Sequence, residues 1–202
     1  LNNRVLGWRN AASFENGVAA DLVIGQRDKM TTLALGPGSG FNSGLSVPTG
    51  VAVDGQGNVF VADTGNSRIV RYLQPFAQPD EIKLADLVIG QPNFQSRGNN
   101  TGGLSERSLA TLSGSGVLRI GITVDAQGNL WVTDSGNHRI LRYPASALGE
   151  GASNGPAANL VLGQADFRTN APLPQSTDVR VRQAKTGLFQ PSSLAFDQGG
   201  RL

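Results

Sequence analysis

The chain has 202 residues, with 39% apolar residues, 27 Gly, 10 Pro and 16% charged residues, which marks a globular, turn-rich protein and excludes a disordered one. Its 17 Lys and Arg against 15 Asp and Glu leave a net charge of +2, too little for a partner held through phosphate contacts, and nucleic acid is not expected. The absence of Cys excludes thiol nucleophiles, thiolate metal sites and disulfides, the single His excludes any site built on two imidazoles, and no apolar run approaches the roughly 18 residues of a membrane span.

In chain order, the first elements are a short apolar strand after Arg4 and the hexad DLVIGQ from Asp21. Gly36-Pro-Gly-Ser-Gly40 follows and reads as a flexible connector rather than a phosphate cradle, since no strand feeds it and no Lys-Ser/Thr follows. Val51–Val53, the turn Asp54-Gly-Gln-Gly-Asn58 and Val59–Val61 give the alternating pattern of a β-hairpin. Asp54-Gly-Gln-Gly-Asn58 lacks the further carboxylates of a calcium loop. A second turn, Asp63-Thr64-Gly65-Asn66, leads into Arg68–Tyr72, and Leu84–Gln91 repeats the hexad. SERSLATL, from Ser105 to Leu112, is the best helical candidate, at a turn or two.

The stretch PTGVAVDGQGNVFVADTGNSRIVRY, from Pro48, then recurs as IGITVDAQGNLWVTDSGNHRILRY, with NLVLGQ from Asn159 as the third hexad, and begins again as PSSLAFDQGGRL from Pro191. Asp54, Asp125 and Asp197 lie 71 and 72 residues apart. Each unit thus holds four short strands, a to d, rich in β-branched and aromatic residues and separated by Gly, Asn and Pro. A unit of this kind buries its apolar face only against stacked neighbours, and a four-stranded antiparallel sheet repeated around an axis is a propeller blade. The expected fold is all-β, a β-propeller of about three blades per chain, half of a six-bladed ring. One partial propeller domain spans 1–202: strands c and d in 1–27, blades in 46–92 and 117–165, and strand a with the start of b in 190–202.

These turn glycines, the Asp closing strand a, the Ala/Thr-Asp after strand b, the Gly-Asn before strand c and the Arg-Ile-x-Arg-Tyr run resemble NHL repeats. The resemblance implies a β-propeller, usually six-bladed, and a bacterial chain that is secreted or periplasmic. The unit here is longer than the roughly 40–45 residues of a compact blade, and the excess lies in the loops. Strand c to d spacings are 17, 18 and 20 residues, whereas d to the next a takes 33, 39 and 38. In a meander the long connections emerge on one face with the b-to-c turns, where repeat proteins commonly bind; wrapping the outside or padding the blade junctions is the alternative.

The long connections hold Arg27, Lys29, Arg97, Arg107, Arg168, Arg180, Arg182 and Lys185 against Asp28, Glu106, Asp166 and Asp178, a mildly basic face. The c-to-d loops hold Arg9 and Lys83 against Glu15, Asp80, Glu81 and Glu150, a mildly acidic one. Candidate binding residues are Asp63, Thr64, Asn66, Asp134, Ser135, Asn137, His138, Arg97, Arg107 and Arg168. Asp63 and Asp134 are expected to accept N–H groups of their tight turns and to meet Arg68 and Arg139, and His138 reads as a turn residue entering strand c. No catalytic residue, metal site or cofactor is expected, since the zinc site of a lyase resembling this family needs imidazoles that the chain lacks. The leading function is a non-catalytic scaffold for a protein, peptide or glycan; the alternatives are a metal-dependent lactonase- or lyase-like enzyme and an RNA-binding NHL domain. A half disc exposes two apolar faces, so the expected partner is a second copy joined head to tail into a complete ring. Both ends cut through a repeat, and the chain reads as a fragment of a longer propeller.

Overall fold

In the computed structural model, residues 2–10, 12, 14–36, 41–79, 81–114, 116–172 and 187–202 are described. Every regular element among them is a short strand or a single 3₁₀ turn. Strands β3 (Pro48–Val53), β4 (Val59–Asp63), β5 (Arg68–Tyr72) and β6 (Leu87–Ile89) form one antiparallel sheet in chain order. Strands β9 (Ile122–Val124), β10 (Leu130–Asp134), β11 (Arg139–Tyr143) and β12 (Leu160–Leu162) form a second sheet of the same order. Strands β1 (Val5–Gly7) and β2 (Leu22–Ile24) pair as the c and d strands of a preceding unit. A small hairpin, β7 (Leu112–Ser113) with β8 (Gly116–Val117), sits inside the second long connection.

The a-to-b hairpins close as their sequence dictates. Asp54 Oδ1 accepts the N–H groups of Gln56 and Asn58, and Asp125 treats Gln127 and Asn129 identically. Gly57 and Gly128 take φ +84 and +82, left-handed values that cost a glycine nothing. Asp197 builds the same turn with Gly199 and Arg201. Residues 191–197 before it carry no strand assignment.

Strand alternation puts the core between sheets. Val59, Val61, Val70 and Tyr72 face β1 and β2 and join Leu22, Ile24 and Leu45. Their neighbours Phe60, Ala62, Ile69, Leu87 and Ile89 face the other way and join Ile120, Ile122, Leu130, Val132 and Leu141 of the next sheet. Inner strand β3 lies beside β9, tied through Thr49 Oγ1, which donates to the Ile120 carbonyl and accepts its N–H, each at 3.2 Å.

The long connections pad these junctions. Leu45 in the first connection and Leu109 in the second are completely buried and sit in the two cores. SERSLATL forms no helix: 106–107 is a turn and 108–111 is irregular, with Leu109 buried in the core. The c-to-d loop of the later blade also reaches back over the outer edge of β6, where Asn154 Oδ1 accepts the Val88 N–H at 3.0 Å and the Gly155 N–H meets the Val88 carbonyl at 2.9 Å. An exposed strand edge is thereby covered by its neighbour.

Candidate binding surface

The b-to-c corner of each blade is a 3₁₀ turn, Thr64–Asn66 and Ser135–Asn137, closed by a residue in the left-handed region, Ser67 (φ 51) and His138 (φ 54). The carboxylate before each turn works differently from the expectation. Asp63 Oδ1 accepts the Ser46 N–H at 2.6 Å, and Asp134 Oδ1 the Ala110 N–H at 2.8 Å, so each holds the long connection before its blade rather than the tight turn. The second oxygen of Asp63 takes Asn66 Nδ2 at 2.8 Å and Arg68 Nε at 2.6 Å, and that of Asp134 takes Asn137 Nδ2 and Arg139 Nε, both at 2.7 Å.

Both ion pairs are sealed from solvent. Burial pushes the Asp63 and Asp134 carboxyls above the ordinary carboxylate range, opposed by the guanidinium and the hydrogen-bond donors around each. Burial also pushes the phenols of Tyr72 and Tyr143 far up, the nearby aspartates adding to the effect. The guanidinium groups are fully used. Arg68 donates onward to the carbonyls of Phe94 (2.8 Å) and Phe41 (2.9 Å), and Arg139 to those of Phe167 (2.7 Å), Ser105 and Ser108 (both 2.9 Å). Each thus clamps the long connection before its blade to the one after it. Arg4 makes the equivalent bond to Thr31 O at 3.1 Å.

Thr64 shares a 2.6 Å hydrogen bond with Thr49 and is buried. Ser135 Oγ lies 2.5 Å from the Arg119 carbonyl and 2.6 Å from that of Pro191, two acceptors for its single O–H. Asn137 exchanges two hydrogen bonds with Asn100, at 2.8 and 3.0 Å. Six of the candidate residues, Asp63, Thr64, Asn66, Asp134, Ser135 and Asn137, therefore form the frame of the surface, with their side chains turned inward. The other four reach solvent. His138 stacks on Phe189 with ring centroids 5.3 Å apart, and its Nδ1 accepts the Gln190 N–H at 3.2 Å. Burial lowers its pKa, with Asp134 pulling the other way. Arg97 lies 4.6 Å over the half-exposed Phe41 ring. Exposed Arg107 donates to the carbonyl of Gly155, which brings a long connection and a c-to-d loop together at the outer rim. Arg168 is exposed beside Asp166, which accepts its N–H at 2.8 Å.

Sequence reading missed the glutamine that ends every hexad. Gln91 Nε2 donates to the carbonyls of Ser67 (2.7 Å) and Gly98 (2.8 Å), and Gln26 and Gln164 do likewise with Asn3 and Leu33, and with His138 and Ala171. Its signal was present, since a polar residue recurring at the end of each strand d has no reason to persist in a solvated loop. Arg71, fully buried, was missed too: it pairs with Asp86 and donates to the Leu148 and Gly149 carbonyls of the next blade.

Arg180, Arg182, Lys185, Asp178 and Asp80, which contribute to the expected charge difference between faces, lie outside the described residues, as does 37–40 of the glycine-rich connector. Among the described residues no cluster of three His, Asp or Glu could hold a metal ion, and no helix is long and apolar enough to cross a membrane.

A search of curated proteins gives no match to the chain. The sequence model of the family described as NHL repeat matches residues 45–72 and 120–143. Those segments are strands a to c of the two four-stranded sheets, with the Asp–Arg pair and the 3₁₀ corner inside each. Repeats of this kind serve as propeller-type binding or scaffold domains. Sheets, turns and sequence model agree: the chain carries NHL repeats, each folded into a four-stranded blade of β-propeller type.

Proposed function

We propose that the chain is a non-catalytic binding scaffold whose ligand, a protein, peptide or glycan, docks on the end of the disc carrying the long d-to-a connections. The observation that carries this is Arg97 held over Phe41, a half-exposed Arg–aromatic pair of the type that anchors interfaces. The connections beneath it are fixed by Arg68, Gln91 and Asn99, so little ordering cost is left for binding. His138, Arg107 and Arg168 extend the same surface in this reading. Screening the immobilised chain against peptide and glycan arrays, beside the double variant Arg97→Ala/Phe41→Ala, tests it. Ligands captured by the parent and lost by the variant support the site; equal capture by both refutes it. Stoichiometric metal on elemental analysis would favour the lactonase or lyase class, and a salt-dependent shift with single-stranded RNA the nucleic-acid class.

We further propose that a second copy completes the ring, and that the protein works outside the cytoplasm. Ile140, Leu162, Leu188, Leu194 and Leu202 line an apolar cleft on the far side of the β9–β12 sheet. That side is the repeat equivalent of the β3–β6 face covered by Ile120, Ile122 and Val132. Light scattering at twice the monomer mass is the expected result, and a soluble monomer at all concentrations overturns this part.

A further inference from the structure

We propose a second binding site, on the opposite end of the disc from the long connections, for an extended peptide segment carrying a basic side chain. The cleft there has a volume of about 530 Å³ and lies between the two complete blades. Its walls are Gln56 and Asn58 from the first a-to-b turn, Gln74 and Gln78 from the first c-to-d loop, and Leu148 with Glu150 from the second. It therefore depends on neither chain end.

Gln74 is the first sign of function. It is an exposed non-glycine residue at φ +36, held there while its N–H donates to Asn58 Oδ1 at 3.2 Å. The next blade makes the same bond, Ala145 N–H to Asn129 Oδ1 at 2.9 Å, without a positive φ. The left-handed backbone is thus not needed for the loop contact, and strain of this kind concentrates at ligand sites. Its side-chain amide makes no hydrogen bond among the described residues.

The second sign is the fixed position of Glu150. Buried Arg71 donates to the Leu148 and Gly149 carbonyls while Asp86 takes its charge. Glu150 is left exposed at the lip with no cation on it among the described residues. Asn58 is committed to Asp54 and to the Gln74 N–H, and Gln78 Nε2 to the Leu73 carbonyl, but the whole Gln74 amide, Gln56 Nε2 and Gln78 Oε1 are left as donors and acceptors for the alternating N–H and C=O of a peptide backbone. The Glu150 carboxylate selects a cationic side chain. Among the described residues no aromatic ring lines the cleft as a stacking platform for sugars or bases, and no cationic side chain lines it for phosphate.

The test is an NMR titration of the whole chain with acetyl-Ala-Ala-Lys-Ala-Ala-amide and with its Glu counterpart. The side-chain amide resonances of Gln56, Gln74 and Gln78 are expected to shift with the Lys peptide, and binding to weaken about tenfold with the Glu peptide and with Glu150→Gln. Gln74→Gly separates function from architecture, because it removes the strained side chain: thermal stability should rise while Lys-peptide binding falls. No shift at the three glutamines, equal response to both peptides, or shifts confined to the Phe41 and Arg97 end each overturn the proposal. Unchanged binding by a stabilised Gln74→Gly variant overturns it as well.

Discussion

The buried Asp134–Arg139 pair gives the sharpest test of how the blade is held. Arg139→Met keeps the aliphatic length but strips three carbonyls of their donor and leaves the Asp134 carboxylate uncompensated in a site closed to solvent. Removing one member of such a pair costs about 3–5 kcal/mol. For a chain of this size each kcal/mol lowers Tm by about 2–4 °C, so the expected loss is about 6–20 °C by differential scanning fluorimetry, with a matching shift in urea unfolding. The double variant Asp134→Leu/Arg139→Met removes the orphaned charge. It should be more stable than Arg139→Met alone, even though the Ala110 N–H and Asn137 amide lose their acceptor. A single-variant loss under about 1 kcal/mol, the scale of an exposed pair, would refute the reasoning. So would a double variant no better than the single.

Gly136→Ala places a Cβ 2.6 Å from the Ala110 carbonyl oxygen, and overpacking against backbone should cost about 1–3 kcal/mol, whereas Gly149→Ala meets nothing within 4 Å and should stay within about 0.5 kcal/mol in the same urea series. His138 is the only His, so its imidazole titration by NMR is unambiguous, and its midpoint should fall below the model-peptide value of 6.5. Because a lowered folded pKa favours the neutral ring, its contribution to stability is complete above the unfolded pKa and is lost as pH falls through the folded one, with the Gln190 amide shifting at the same midpoint. The Tyr143 hydroxyl is buried with no hydrogen-bond partner in the described chain, so Tyr143→Phe breaks no protein hydrogen bond and should change unfolding free energy by less than about 1 kcal/mol.

Strands, hairpins and repeat were legible because period-two apolar runs and Asp-x-x-Gly-Asn turns are local signals. Asp54 and Gly57 act within five residues of each other, and the turn they form is the one their sequence specifies. What was hidden depends on contacts between units. Nothing near Arg68 announces that its partners include Phe41 and Phe94, more than twenty residues away on either side, or that Arg71 reaches Leu148. Leu109 was read as part of a helical turn because local apolar spacing cannot report the core waiting for that side chain. Asp63 and Asp134 lie buried rather than facing a ligand, which the sequence does not disclose, since an aspartate in a Gly-Asn turn looks the same whether it faces water or an arginine.

Asn154 and Gly155 finish the outer margin of the sheet before their own, and Arg71 grips forward onto that same later loop. This junction therefore has a direction, with the β3–β6 blade sealed by its successor. Proteolytic nicking between 149 and 156 should loosen the β3–β6 sheet more than the β9–β12 sheet that owns the cut loop, so damage in this architecture travels toward the amino terminus.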